Sequence, residues 1–529
     1  MPLPPLVNVA QHLPAMAERE PDRLAVVDPG GRGHTFASLD RASDQIARRL
    51  YGFGVRRGMR TVVMVPPSLE FFEITFALFK LGAVLVLIDP GMGVRNLGRC
   101  LGEAEPEAFV GIRRAQVARK LLGWARPTVR VTVGVGTRLL CQYSLEGYSA
   151  EPASQRPATE DKSWPPAYDV ASDEMAAILF TSGSTGVAKG AVYTHGTFAT
   201  QVEALRRLFD IRPGEIDLCT FPLFALFAPA LGMTAIIPEM SPTRPAGVHP
   251  PNIIGPVHEW GVTNLFGSPA LLNVVGRYAV SPRPEGAPEG SASSGRGGTN
   301  TVLPSLRRVI SAGAPVPATV IERMTQMLRP GVQVYTPYGA TEVLPVACIG
   351  SDEILKETRH RTDQGAGVCV GRPVPEVEVA IIPVSDEAIA VWDESLRRPA
   401  NEIGEIAVRG PYVTREYFNR PEATRLAKIP VGSRQWAVGS ENRSYSLPTA
   451  HCPLPTGCPL PAVWHRMGDV GYLDESGRLW FCGRKAHRVR TANGTLYTIP
   501  VEAVFNTHPA VFRTALVGVG APDRQTPVL

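Results

Sequence analysis

The sequence predicts an α/β protein whose parallel sheets are covered by helices. Three observations carry this. Apolar strand-like runs alternate with helix-like runs through the first half of the chain. The second half changes to short β-rich segments without long helices between them. The length of 529 residues also exceeds one ordinary domain, since roughly 100–200 residues make a folding unit and three or four units are expected.

In chain order, Thr61-Val-Val-Met-Val-Pro66 is a continuous apolar run and predicts a buried strand. Leu69 to Leu81 then predicts a helix, and Ala83 to Ile88 the next strand. Glu174 to Thr181 and Arg308 to Ile310 predict further strands that end at Gly-rich turns. Glu376 to Pro383 and Gly404 to Arg409 predict a small antiparallel or barrel-like subdomain near 365–483. Two stretches look inserted. Residues 281–301 are rich in Gly, Ser and Pro and predict a mobile surface loop. Residues 431–462 repeat Cys452-Pro-Leu-Pro as Cys458-Pro-Leu-Pro without regular periodicity. They are either an irregular excursion or not authentic coding sequence.

Composition narrows the class. A hydrophobic content of 44% with 19% charged residues suits a soluble protein with a large core. The net charge of +5 is small, and no dense Lys/Arg stripe accompanies it, so nucleic acid is not an expected partner. Of eight cysteines only Cys452 and Cys458 lie close together, and no CxxC or Cys/His cluster exists. That argues against zinc and a disulfide framework, and for reduced thiols in a cytoplasmic enzyme. The first residues, Met-Pro-Leu-Pro-Pro-Leu, do not read as a signal peptide. Leu218 to Pro238 is uncharged and long enough to span a bilayer. Pro222, Pro229, Gly232 and Pro238 interrupt it, so it predicts buried core or the wall of an apolar pocket, not an integral membrane segment.

The strongest chemical signal is Thr181-Ser-Gly-Ser-Thr-Gly-Val-Ala-Lys-Gly190, placed after an apolar strand and before an expected helix. Gly183, Gly186 and Gly190 open backbone conformations closed to other residues. Ser182, Ser184 and Thr185 offer hydroxyls, successive N–H groups can form an anion nest, and Lys189 adds charge. The loop suits nucleotide phosphates. It is not a Walker A loop, because Gly190 follows Lys189 and the glycines are spaced differently. No GxSxG nucleophile elbow exists, which argues against a hydrolase.

At this loop the chain resembles the adenylate-forming superfamily of acyl-CoA synthetases, luciferases and peptide-synthetase adenylation domains. Further motifs follow in the family's order. They are Ser311-Ala-Gly-Ala-Pro315, Tyr335-Thr-Pro-Tyr-Gly-Ala-Thr-Glu342, Gly404-Glu-Ile-Ala-Val-Arg-Gly410 with Tyr417 after it, His465-Arg-Met-Gly-Asp-Val-Gly-Tyr472, and Gly483-Arg484. The resemblance implies a large N-terminal domain of two doubly covered, mostly parallel sheets plus a small β-barrel-like subdomain. A truncated small α+β C-terminal domain follows. The large domain would span 1–484, with inserts near 281–301 and 431–462, and an incomplete lid 485–529.

The same resemblance implies ATP and Mg²⁺, and roles residue by residue. Thr181, the hydroxyls of Ser182, Ser184 and Thr185, the loop glycines Gly183 and Gly186, and Lys189 would hold phosphates. Thr341 would hydrogen-bond the α-phosphate. Thr185 and Glu342 would hold Mg²⁺, a hard cation that prefers oxygen ligands. Gly313, Ala314 and Pro315 would line the adenine edge, with Tyr338 stacked on the base and Gly339 beside it. Asp469 would accept both ribose hydroxyls and Arg484 would reach the ribose. From the residues alone, Asp469 also suits a turn cap, Arg484 a surface ion pair and Tyr338 plain core. The chemistry implied is in-line attack of a carboxylate on the α-phosphorus with pyrophosphate leaving, which asks mainly for positioning and charge neutralisation.

Phe221 to Met233 falls where the family builds its acyl pocket, making Phe224, Ala225 and Phe227 lining candidates. Many relatives place a His at about Ala225, and this chain has none there. His195 is a candidate for a substrate-side role, with a buried structural His as the open alternative. The aromatic and aliphatic density favours a greasy acyl chain. A closer resemblance lies in Tyr335 to Pro345, Trp464 to Tyr472 and Leu479-Trp-Phe-Cys-Gly-Arg-Lys485, which look like the olefin β-lactone synthetases of bacterial hydrocarbon biosynthesis. That resemblance implies a long-chain 2-alkyl-3-hydroxy acid substrate, an acyl-AMP, closure to a β-lactone without CoA, and other enzymes of the olefin pathway as candidate partners. A long-chain acyl-CoA synthetase or acyl-AMP ligase, and a non-catalytic nucleotide-binding protein, are the alternatives. Ala486 sits at the family's hinge position, and Asn493 to Glu502 resembles the loop that swings in for the second step. Only ~45 residues follow the hinge, against roughly 100 for a usual domain, and the family's late lysine has no counterpart. The chain is therefore expected to be a fragment or a faulty gene prediction that binds ATP and adenylates slowly.

Overall fold

The computed structural model describes residues 7–145, 166, 169–180, 188–221, 227–280, 301–432, 463–511 and 513–529. The chain opens with helix α1 (His12–Arg19), strands β1 (Leu24–Val27) and β2 (Gly33–Thr35), and helix α2 (Phe36–Gly52). A seven-stranded sheet follows. It is built from β3 (Arg60–Met64), β4 (Val84–Ile88), β5 (Ala108–Ile112), β6 (Val131–Val135), β7 (Tyr143–Ser144), β8 (Met175–Phe180) and β9 (Gly190–Thr194), in the order β7-β6-β5-β3-β4-β8-β9. All neighbours are parallel except β8 and β9. The helices α3 (Leu69–Lys80), α4 (Val94–Ala104) and α5 (Arg113–Leu122) are the crossovers, as a parallel pair requires.

The expected alternation is present because the strands are apolar along their whole length. Val62, Leu85, Val110 and Val133 are fully or almost fully buried, which is what a sheet covered on both faces needs. Helix α3 is set by Ser68, whose hydroxyl accepts the Phe71 N–H at 3.3 Å, and its face of Phe71, Phe72, Ile74 and Phe79 enters the core.

The second sheet has fourteen strands. Its parallel part holds β1, β10 (Ile216–Cys219), β11 (Thr234–Ile236), β12 (Asn264–Phe266), β13 (Arg308–Ile310) and β14 (Gln333–Ala340), with β2 antiparallel at the edge. Its antiparallel part holds β15 (Val343–Gly350), β16 (Val368–Pro373), β17 (Glu378–Ile382), β18 (Gly404–Arg409), β19 (Lys428–Pro430), β20 (Val463–Leu473) and β21 (Leu479–Arg484). The small β region predicted near 365–483 thus continues the second sheet edge to edge through β15 and β16. It is strongly curled. From β14 to β20 is four steps along the strand order, about 19 Å if flat, yet side chains from the two strands meet at hydrogen-bond distance.

The helix expected after the 181–190 loop is α6 (His195–Leu208), and strand β9 stands between the two. The run Ala191-Val-Tyr-Thr194 is β-branched and aromatic, which favours a strand. Gly190 is required there, since a Cβ would lie 2.6 Å from Ile178 Cγ2. Leu218 to Pro238 forms β10, β11 and a short helix at Phe227–Ala230 among its described residues. No helix among the described residues is long and apolar enough to cross a membrane.

After β21 come two short hairpins and a helix at Thr498–Phe505. The helix packs on β21, where a Cβ at Gly483 would meet Thr498 Oγ1 at 2.6 Å. The inserts at 281–300 and 433–462 lie outside the described residues.

Candidate functional site

The site gathers at one face of the second sheet. Glu342 sits with Thr341 at the tip of the β14–β15 hairpin. Its backbone carbonyl accepts the Thr414 N–H at 2.9 Å, and its Oε1 accepts the Tyr417 hydroxyl at 2.5 Å. Thr341 is fixed by its carbonyl, which accepts the hydroxyl of buried Tyr193 on β9. Burial first, and the Glu342 charge second, hold the Tyr417 phenol far above its ordinary pKa, so it stays a donor.

The phosphate-loop candidates Thr181, Ser182, Gly183, Ser184, Thr185 and Gly186 lie outside the described residues. The strand after them is tied into the site. Phe418 N–H donates to Gly190 O at 2.8 Å, and Val192 N–H to Glu416 O at 3.2 Å. This brings Lys189 Nζ to 5.0 Å from the Tyr417 ring centroid.

A second lysine approaches the same ring. Lys428 Nζ lies 5.7 Å from its centroid, donates to the carbonyl and hydroxyl of Thr414, and is almost fully buried. Burial pushes its pKa down to about 7, against the pull of Glu342 and Glu416. Sequence reasoning missed Lys428. It lies in no motif, and its one signal is a cation between the apolar neighbours Ala427 and Ile429.

The second cluster joins Tyr338, Asp469 and Arg484. Strand register places Asp469 opposite Arg484, and their side chains form an ion pair at 2.9 Å. The Tyr338 hydroxyl donates to Asp469 Oδ2 at 2.6 Å. Burial pushes Asp469 up to about 6, while Arg484 and Tyr338 pull the other way. Three residues chosen from separate motifs therefore meet. The polar end of Tyr338 is engaged by Asp469, as a buried phenol requires.

The turn Gly313, Ala314 and Pro315 is exposed after β13. Gly313 has φ +96°, and a Cβ added to it would meet nothing within 4 Å. At the root of this turn Ser311 Oγ is buried without a hydrogen-bond partner among the described residues. An orphaned buried hydroxyl is costly unless a ligand satisfies it. Gly339 is boxed in, as a Cβ would lie 2.5 Å from Val343 O.

The acyl-side candidates divide. Phe224 and Ala225 lie outside the described residues, and Phe227 lines a narrow cavity of about 40 Å³ with Leu231, Met233, Phe266, Ile310 and Leu344. The Leu344–Pro345 wall is held by Gln201 Nε2 donating to Leu344 O at 2.6 Å and Tyr412 OH to Pro345 O at 2.7 Å. Asp217 and Asn264 are its polar members, and burial lifts Asp217 to about 6. His195 is not among the lining residues. It is fully buried, accepts the Val9 N–H at 3.3 Å, and meets Phe79 edge-on. Burial lowers its pKa to about 4, which keeps the imidazole neutral, and its Nε2 is buried without a hydrogen-bond partner among the described residues.

The two mixed sheets are those of a family of nucleotide-binding enzymes. A model of AMP-binding enzymes matches residues 13–418, and the chain belongs to the AMP-binding enzyme family. It is 48% identical to an olefin β-lactone synthetase of Xanthomonas campestris over 99% of this chain and 86% of that one. It is 46% identical to an olefin β-lactone synthetase of Stenotrophomonas maltophilia, over 99% and 87%. Among solved structures it is similar to o-succinylbenzoate CoA synthetase from Bacillus subtilis in complex with an acyl-adenylate, at TM-score 0.70 and 20% identity, covering 99% of this chain and 88% of that one. At that identity the likeness speaks for the fold alone.

Proposed function

We propose that the chain activates a long-chain 2-alkyl-3-hydroxy acid with ATP as an acyl-AMP, releases pyrophosphate, and closes the intermediate to a β-lactone. The observation that carries this reading is near-half identity to two olefin β-lactone synthetases along almost the entire chain. The assembled Tyr338–Asp469–Arg484 cluster supports it. ATP is a substrate here. Asp469, oriented by Arg484 and Tyr338, accepts the ribose hydroxyls. Ser311 and the turn through Gly313, Ala314 and Pro315 take the base, and Tyr338 covers it with Gly339 alongside. Lys189, Thr341 and the loop from Thr181 to Gly186 hold the phosphates.

Glu342 fits Mg²⁺ by chemistry. It is a buried carboxylate in no ion pair among the described residues, so a hard cation can use it. Thr185 is the second ligand proposed. When bound, Mg²⁺ supplies charge neutralisation on the phosphates. The residues do the rest: they hold the carboxylate and the α-phosphorus in line and exclude water.

The acyl chain enters past Phe227. The cavity is far smaller than the roughly 300–1,000 Å³ of a drug-sized ligand pocket, so lining side chains must yield to a long chain. Once the acyl-AMP stands, the oxygen of the substrate's own 3-hydroxyl attacks the activated carbonyl carbon, its proton passes to solvent, and AMP leaves with the electrons of the broken carbon–oxygen bond. We assign 1–484 to the adenylation domain, 485–529 to the lid, and the cytoplasm as location, with other enzymes of the olefin pathway as partners.

The test is incubation with Mg-ATP and a long-chain 2-alkyl-3-hydroxy acid, with and without CoA, and mass spectrometry of products. β-Lactone and AMP without CoA is the expected result. An acyl-CoA formed only with CoA would overturn the lactone assignment and keep the adenylation.

A further inference from the structure

The β7 edge of the seven-stranded sheet carries a surface that adenylation does not use. From Arg113 to Leu145 the chain has seven Lys or Arg and no Asp or Glu. No dense basic stripe shows in the sequence because these residues are spread over 26 positions. On the fold they lie on α5, on the turn into β6 and on the loop after it. Arg113, Arg114, Lys120, Arg126 and Arg130 are exposed, and their side chains form no ion pair among the described residues.

Apolar side chains stand among them. Leu121 is 78% exposed and Leu122 52%, at the end of α5. Leu139 and Leu140, each 41% exposed, lie on the loop after β6. Arg119 joins helix and loop by donating to Leu140 O at 3.1 Å, and Gln142 and Thr132 exchange hydrogen bonds of 2.9 and 3.0 Å that fold the loop back beside β6. Helix α4 extends the surface with exposed Val94, Arg95 and Arg99, packed next to α5 through Trp124 against Gly98. The nearby acids at the end of α4 are Glu103, held by Arg420, Glu107, held by Arg60, and Glu105.

We propose that this edge docks on an anionic lipid bilayer. The leucines stand at a helix end and a loop tip, not along a groove. They therefore suit insertion into the headgroup–acyl boundary better than a fixed partner's shape. The cations around them that form no ion pair among the described residues complement a negative surface potential. If the proposed function holds, docking also places the enzyme where a long-chain acid partitions. The surface argument stands without that clause.

The test uses the full chain and sedimentation with vesicles of phosphatidylcholine alone or mixed equally with phosphatidylglycerol. Binding is expected to the anionic vesicles and to weaken as salt shortens the screening length. Leu121→Asp/Leu122→Asp and Lys120→Glu/Arg126→Glu variants should each weaken it at least about tenfold. Unchanged thermal melts and unchanged pyrophosphate release with a soluble short-chain acid would show that the variants are folded. Failure to sediment with anionic vesicles at low salt, or variants that bind like the parent, would overturn the proposal. Binding to polyglutamate but not to vesicles would assign the surface to an acidic protein and overturn it too.

Discussion

The two polar clusters of the site solve the problem of a buried carboxylate in opposite ways. Asp469 has its counter-cation in contact, with Arg484 at 2.9 Å. Glu342 has a phenol in contact and two ammonium groups held off across that phenol's ring, at 5.0 and 5.7 Å from its centroid. A carboxylate already paired works by hydrogen bonding to a neutral group. A carboxylate left unpaired beside spare positive charge suits a metal ion and the anion that accompanies it. On the proposed function, the difference matches a binding role for Asp469 and a chemical role for Glu342.

The sharpest break is Glu342→Gln. The amide still accepts the Tyr417 hydroxyl, so the fold holds, but the charge proposed to hold the metal is gone. Pyrophosphate release should fall at least about 100-fold while a fluorescent ATP analogue still binds. Equal loss of binding would erase the distinction between the clusters. Asp469→Asn tests the other side. KM for ATP should rise about 10- to 100-fold with a smaller change in kcat, because a charged hydrogen-bond acceptor is lost. In the parent, KM for ATP should also rise as pH falls through about 6, where Asp469 gains its proton, and the Asn variant should lack that rise.

How much of this was legible in the sequence follows the same division. Tyr338, Asp469 and Arg484 each stand in a recognisable motif, and strand pairing only had to bring them together. Tyr417 was visible, but Lys428 was not. What brings Lys428 to the ring is the short β19 ladder, in which it pairs with His465, 37 residues on in the sequence. Local pattern carries no information about such a partner. The first sheet was legible because its strands are uniformly apolar. Strand β9 between the loop and α6 was not read from the sequence because five residues, Gly190–Thr194, leave little periodicity.

Two smaller effects refine the picture. Phe227→Trp should fill the narrow cavity and shift preference several-fold toward shorter acyl chains, read from competition assays. Preference left unmoved would remove Phe227 from the pocket wall. Lys428→Met should have its clearest effect on stability. The folded-state pKa of about 7 lies below the ordinary 10.5, so the unfolded chain binds more protons between those values. Parent stability should therefore gain from this group as pH rises from about 7 toward 10.5, by a few degrees in Tm, and the Met variant should lack that gain. Parallel melting curves against pH for the two proteins would contradict the burial assigned to Lys428.

The curled second sheet has a consequence for how the gene can change length. Tyr338 and Asp469 are 131 residues apart, yet their meeting depends on strand order and phase, not on that count. Segments between strands can lengthen or shorten without moving either group. One residue added inside β20 or β21 turns every later side chain of that strand to the opposite face and takes Asp469 or Arg484 out of register. Insertions and deletions that leave the protein working are therefore expected to cluster between the strands and to spare the hairpin from Val463 to Arg484.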